Sequence, residues 1–167
     1  DIILLFCGKV YEIRTLDSID WQNKKIIVYV ADAWEPRLDY FSSLIDQYDI
    51  NAVLCSYQKS TNILSNDHKN IYWLPQGIDP SLWRDYGLDK EHTAIQFGRK
   101  NPTLHKIASE KFGESYVHEY ISGDRDLARQ INKSRFCLVS PRILQDPDHT
   151  GDISPVTLRF YQALACK

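Results

Sequence analysis

Short runs of consecutive apolar residues constrain this chain more than any other feature. Asp1-Ile-Ile-Leu-Leu-Phe-Cys7, ended by Gly8, and Lys24-Lys-Ile-Ile-Val-Tyr-Val-Ala31, with Asp32 at its carboxyl end, carry no alternating polar face. A strand of that kind is buried on both sides, which a parallel sheet between helices provides. Arg135-Phe-Cys-Leu-Val-Ser140 is a third of the same type, and Asn51-Ala-Val-Leu-Cys55, Asn70-Ile-Tyr-Trp-Leu-Pro75, Thr93-Ala-Ile-Gln-Phe97 and Tyr116-Val-His-Glu-Tyr-Ile121 read as shorter strands. Between them lie helical segments. Pro36 opens one with Leu38, Phe41, Leu44, Ile45 and Tyr48 on a single face, Ser60 and Thr61 suit the cap of another, and Thr103 to Phe112 and Asp124 to about Lys133 supply two more. Leu16 to Gln22 reads as a short helical or irregular link.

Strands that alternate with helices give the α/β class with parallel sheets. Pro75-Gln-Gly-Ile-Asp-Pro80 and the polar stretch after it, Arg84 to His92, interrupt the alternation. The expected organisation is therefore two Rossmann-like halves: residues 1–80, a hinge over 81–92, and residues 93–167. A ligand is expected where strand ends face a cleft. The chain starts at Asp1, contains no Met and stops in mid-helix, so a fragment is expected, spanning the end of one domain and an incomplete second one.

Charge excludes some partners. Twenty basic against 22 acidic side chains give a net charge of −2, with no Lys/Arg block, which argues against a nucleic-acid or anionic-membrane surface. No apolar run nears the ~18 residues of a membrane span, and no signal peptide is legible, so a cytoplasmic protein is expected, with peripheral membrane association left open. Cys7, Cys55, Cys137 and Cys166 lie far apart and read as buried reduced thiols. Asp146, Asp148 and His149 crowd one loop without a fourth ligand at a recognisable spacing, and so read as a solvated loop with no metal expected. His68, His92, His105 and His118 read as surface residues, and Trp21, Trp73 and Trp83 as core or hinge packing.

The last stretch carries the strongest chemical signal. A polar turn ending in Ser154-Pro155 launches an amphipathic helix just after an apolar strand. Backbone N–H groups of Val156 and Thr157, with the hydroxyls of Ser154 and Thr157, would form an anion cradle there, and Pro155 has no N–H to lose. Gly98, Arg99 and Lys100 follow another strand end, where the two cations can reach a diphosphate. Asp32, with Trp34 and Glu35 on the same loop, offers a carboxylate base or, equally, a helix cap ahead of Pro36.

Three segments together resemble a known family. Trp73-Leu-Pro-Gln-Gly-Ile-Asp79 resembles the domain-junction turn of GT-B glycosyltransferases, Phe97-Gly-Arg-Lys100 resembles the start of their second domain, and Leu158-Arg-Phe-Tyr-Gln-Ala-Leu-Ala-Cys166 resembles a segment of the glycosyltransferase group 1 enzymes related to the spore-maturation protein CgeB. The resemblance implies a GT-B fold and a metal-independent, retaining transfer from a nucleoside-diphosphate sugar, without a further cofactor, to a saccharide, lipid-linked or protein hydroxyl. It implies that Arg159 and Gln162 line the nucleotide site, Gln162 standing where the family has a ribose-binding Glu. An amide holds ribose hydroxyls without charge assistance. That departure, with Lys167 in place of the family's Gly, keeps two alternatives open: a non-catalytic sugar-nucleotide binder or scaffold, and a sugar-nucleotide epimerase.

Overall fold

The computed structural model describes residues 1–119, 123–140 and 158–166. They fall into two compact units, one over Asp1–Gln76 and one beginning at Gly77. Each is α/β with a parallel sheet.

In the first unit β1 (Ile2–Lys9), β2 (Lys25–Asp32), β3 (Ala52–Cys55) and β4 (Ile71–Trp73) pair in the order β1-β2-β3-β4. With sequential order, every right-handed crossover steps the same way and delivers its helix to the same face. The 3-10 helix Val10–Ser18, α1 (Leu38–Gln47) and α2 (Gln58–Leu64) accordingly share one core with Cys7, Val28, Val53 and Cys55. Leu38, Phe41, Leu44 and Ile45 are the buried stripe of α1, at the spacing the sequence shows.

The opposite face departs from expectation. Leu4 lies beside Ile27, and Phe6, Tyr29, Leu54 and Tyr72 form one row across all four strands. On that face Ile2, Leu4 and Phe6 are 67%, 54% and 71% exposed, whereas burial on both sides was expected for β1. β1 is an edge strand, and no described helix lies over this side of the sheet. The link over Leu16 to Gln22, expected as helical or irregular, begins as the end of a 3-10 helix that starts earlier, at Val10. Val10, Ile13 and Leu16, all fully buried, recur every third residue, the repeat of a 3-10 helix.

The second unit contains β5 (His92–Phe97), α3 (Pro102–Phe112), β6 (Tyr116–Glu119), α4 (Asp124–Asn132), β7 (Ser134–Cys137) and α5 (Leu158–Ala165), with strand order β6-β5-β7. The chain moves one way from β5 to β6 and back across β5 to β7, which puts α3 and α4 on opposite faces. Central β5 is buried from Ala94 to Phe97, and Phe97, Ala128, Ile131, Ala163, Cys166 and Trp83 form a second core.

Residues 81–92, expected as a hinge, are packed into this unit, and the unit boundary falls between Gln76 and Gly77. Trp83 is 4% exposed, and buried Asn132 holds the backbone beside it, accepting from the Tyr86 N–H at 2.7 Å and donating to the Arg84 carbonyl at 2.9 Å. The polar surface of the segment hid these two anchors. Cys7, Cys55 and Cys166 are buried free thiols, and Cys137 is half-buried. Trp21 meets Tyr48 edge-on at 5.6 Å, but Trp73 is half exposed on the short edge strand β4. No described helix is long and apolar enough to cross a membrane.

Candidate anion-binding site

In open parallel sheets ligands bind beyond the carboxyl ends of the strands, where the direction of winding reverses. In the second unit that point lies between β5 and β7. Their ends are tied together by Asn101, whose Nδ2 donates to Ser140 Oγ at 3.3 Å. Asn101 also caps α3, its Oδ1 accepting the Leu104 N–H at 3.0 Å, with Pro102 at the first helical position.

Gly98 turns the chain out of β5 at φ +75°, a conformation that favours glycine. There is a second reason for glycine. A Cβ there would stand 2.6 Å from Arg159 Nε and 2.8 Å from its Cζ, so the guanidinium of α5 rests directly on the bend. The structure thus brings together Gly98 and Arg159, two residues 61 positions apart that the sequence reading assigned to one site. Arg99 and Lys100 are exposed on the same turn, and neither forms an ion pair with a described residue.

Under the turn lies a polar group that the sequence reading missed. Gln96 is the lone polar residue buried at the centre of the sheet, and its register partner is His118. The Tyr116 hydroxyl donates to Gln96 Oε1 at 2.8 Å, His105 Nδ1 lies 3.1 Å from that hydroxyl, and His118 Nε2 lies 3.2 Å from the Gly98 carbonyl oxygen. The two imidazoles meet edge-on at 5.8 Å between centroids. Neither is the isolated surface residue expected; both are half-buried. Desolvation, then the positive charge of Lys100 and the facing His118, hold His105 below its usual 6.5. Burial raises the Tyr116 hydroxyl above its usual 10.0. The available signals were strand alternation, which places Tyr116 and His118 on one face, and the need of a buried Gln for partners.

The first turn of the first unit is chemically different. After β1, Glu12 places its own carboxylate against the Gly8 and Lys9 N–H groups, at 2.7 and 3.3 Å, filling the position an external anion would take. Asp32, at the carboxyl end of β2, accepts from the Tyr57 hydroxyl at 3.0 Å. It caps no helix: the following 3-10 turn, Glu35–Arg37, has Trp34 at its N-cap position. Trp34 is buried against Tyr57, and Glu35 pairs with Lys59 at 3.3 Å.

Ser154, Pro155, Val156 and Thr157, like Asp146, Asp148 and His149, lie outside the described residues. Gln162 sits on the buried side of α5 at 8% exposure, and its side chain makes no hydrogen bond to the described residues. A groove of about 890 Å³ elsewhere in the second unit, lined by Phe136, Phe160 and Leu164 among others, is apolar and includes none of the candidate site residues. Neither a comparison with models of protein families nor one with curated proteins finds a match to this chain.

Proposed function

We propose that this chain is part of a glycosyltransferase of the GT-B type and that its second unit holds the diphosphate of a nucleoside-diphosphate sugar at the Gly98 turn. The observation that carries the reading is the Gly98–Arg159 approach at a winding-reversal point, with Arg99 and Lys100 beside it and in no ion pair with a described residue. In glycosyl transfer the bond from the anomeric carbon to the diphosphate breaks while one to an acceptor hydroxyl forms. The leaving diphosphate gains negative charge, and pre-placed cations stabilise it. In this reading Arg99, Lys100 and Arg159 supply that charge without a metal, and Gln162 takes the ribose. The Gly98 bend lets the backbone approach the phosphates, and the Gln162 amide, in no hydrogen bond with a described residue, is the candidate partner of a sugar hydroxyl.

Titration calorimetry of the protein with UDP- and GDP-sugars is the test. One of them binds, and Arg99→Ala weakens it by roughly 1.5–3 kcal/mol, the worth of a charged hydrogen bond. Binding of neither sugar nucleotide would overturn the reading. The neutral amide at Gln162 favours a second one, a sugar-nucleotide binder without turnover. Gln162→Glu separates the two: a large gain in transfer marks an enzyme, and tight binding without turnover in both forms marks the binder.

A further inference from the structure

The hydrogen bonds under the Gly98 turn fix where each imidazole proton sits. A carbonyl oxygen only accepts, so His118 Nε2 carries the hydrogen it directs at Gly98. The Tyr116 hydroxyl spends its single hydrogen on Gln96 Oε1, so His105 Nδ1 carries the one between His105 and Tyr116. Neutral His105 therefore keeps its one lone pair on Nε2, which has no hydrogen-bond partner among the described residues. Among the described residues, the charged and titratable groups that face this ring are Lys100 from the turn and His118 and Tyr116 from β6, none of them acidic. Arg99 and Arg159 add positive charge at the same bend. Such a group holds His105 neutral when empty and favours its charged form once an anion arrives.

We propose that His105 and His118 form the floor of a phosphate seat under the Gly98 turn, and that an incoming diphosphate binds there with uptake of one proton at His105 Nε2. The new N–H then faces the anion, while His118 Nε2–H holds the Gly98 carbonyl and with it the bend. The inference rests on the functional reading above and adds to it that donor binding is proton-coupled. The diphosphate of a nucleotide sugar is a diester and does not itself titrate near neutrality, so protons taken up with such a ligand pass from the buffer to groups of the protein.

The experiment is calorimetry with UDP-glucose, GDP-mannose and inorganic pyrophosphate at pH 7.5, in two buffers of different ionisation enthalpy, for the unmodified protein and for His105→Asn. Asparagine keeps a donor toward Tyr116 and removes the titrating nitrogen. Uptake approaching one proton per bound ligand is expected, lost in His105→Asn, with affinity for the sugar nucleotide rising about 3- to 10-fold per unit fall in pH until His105 is charged in the free protein. The His105 ring resonances of the unmodified protein, followed by NMR, should show its titration moving upward when ligand is present, a readout that needs no variant. Binding of a sugar nucleotide with no proton uptake and an unmoved His105 titration overturns this inference and leaves the functional reading standing. Free pyrophosphate titrates near neutrality itself, so its binding alone supports the phosphate seat, while removing the sugar nucleotide as its ligand, only where the proton uptake is lost in His105→Asn. Binding of none of the three overturns both.

Discussion

At the scale of single residues, Gly98 is held to glycine twice, by a left-handed backbone and by the Arg159 guanidinium lying on it. Gly98→Ala should therefore cost about 1–3 kcal/mol of stability, read as a shift in the urea midpoint. Its steric part should be relieved when Arg159 is also cut back. In a double-mutant cycle Gly98→Ala and Arg159→Ala should be less than additive by at least about 0.5 kcal/mol, since the second removes the atoms the new methyl strikes. Strict additivity would mean that the two do not meet in solution. The sequence showed a glycine after a strand and an arginine in a late helix, but nothing in either local pattern measures their separation. The histidines were less legible still. His105 lies on a helix and His118 on a strand, so their meeting depends on α3 packing back over β6, a property of the crossover.

At the scale of elements, the apolar runs identified the parallel strands to within three residues at either end, because hydrophobic continuity is a local property. Which faces those strands bury is not local. β1 and β2 carry similar runs, yet strand order makes β1 an edge and gathers the described helices of its unit on one side. Two truncations on neighbouring strands test that asymmetry. Ile26→Ala, at 1% exposure in the core, should cost about 2–5 kcal/mol, and Leu4→Ala, at 54% exposure, less than about 1 kcal/mol. Equal losses in urea unfolding would show that the Leu4 face is covered in solution. The 3-10 helix after β1 went unread over Val10 to Thr15 for a related reason. A 3.6-residue template does not register an apolar stripe of period three, and Glu12 anchors its start through backbone groups that sequence patterns do not reveal.

For the molecule as a whole, the buried titratable groups shape how stability varies with pH. Burial pushes the thiols of Cys7 and Cys55 up to about 12 and that of Cys166 up to about 11, against an ordinary value of 9.0. Above pH 9 an unfolded chain releases these protons while the folded one keeps them, so stability falls as pH rises through the range from 9 to 12. Each thiol steepens that fall, and the three act in the same direction. Tyr48, buried against Asp17 and likewise raised to about 12, steepens the loss from pH 10 upward. On the acid side the groups are different. His105 is held below 6.5, so the unfolded chain binds its proton first, and the stability present above pH 6.5 is lost as pH falls through that value. Asp79, lowered by the Ser81 hydroxyl and by the N–H groups of Ser81 and Leu82, is lost in turn as pH falls below 3.8. Equilibrium unfolding in urea should show a plateau near pH 7 to 8.5, a shallow acid limb and a steep alkaline one. Replacing Cys55, which is fully buried, with Ala should lower the plateau through the cavity it leaves and flatten the alkaline limb. An alkaline limb equally steep in Cys55→Ala would mean that this thiol ionises as readily in the folded chain as in the unfolded one.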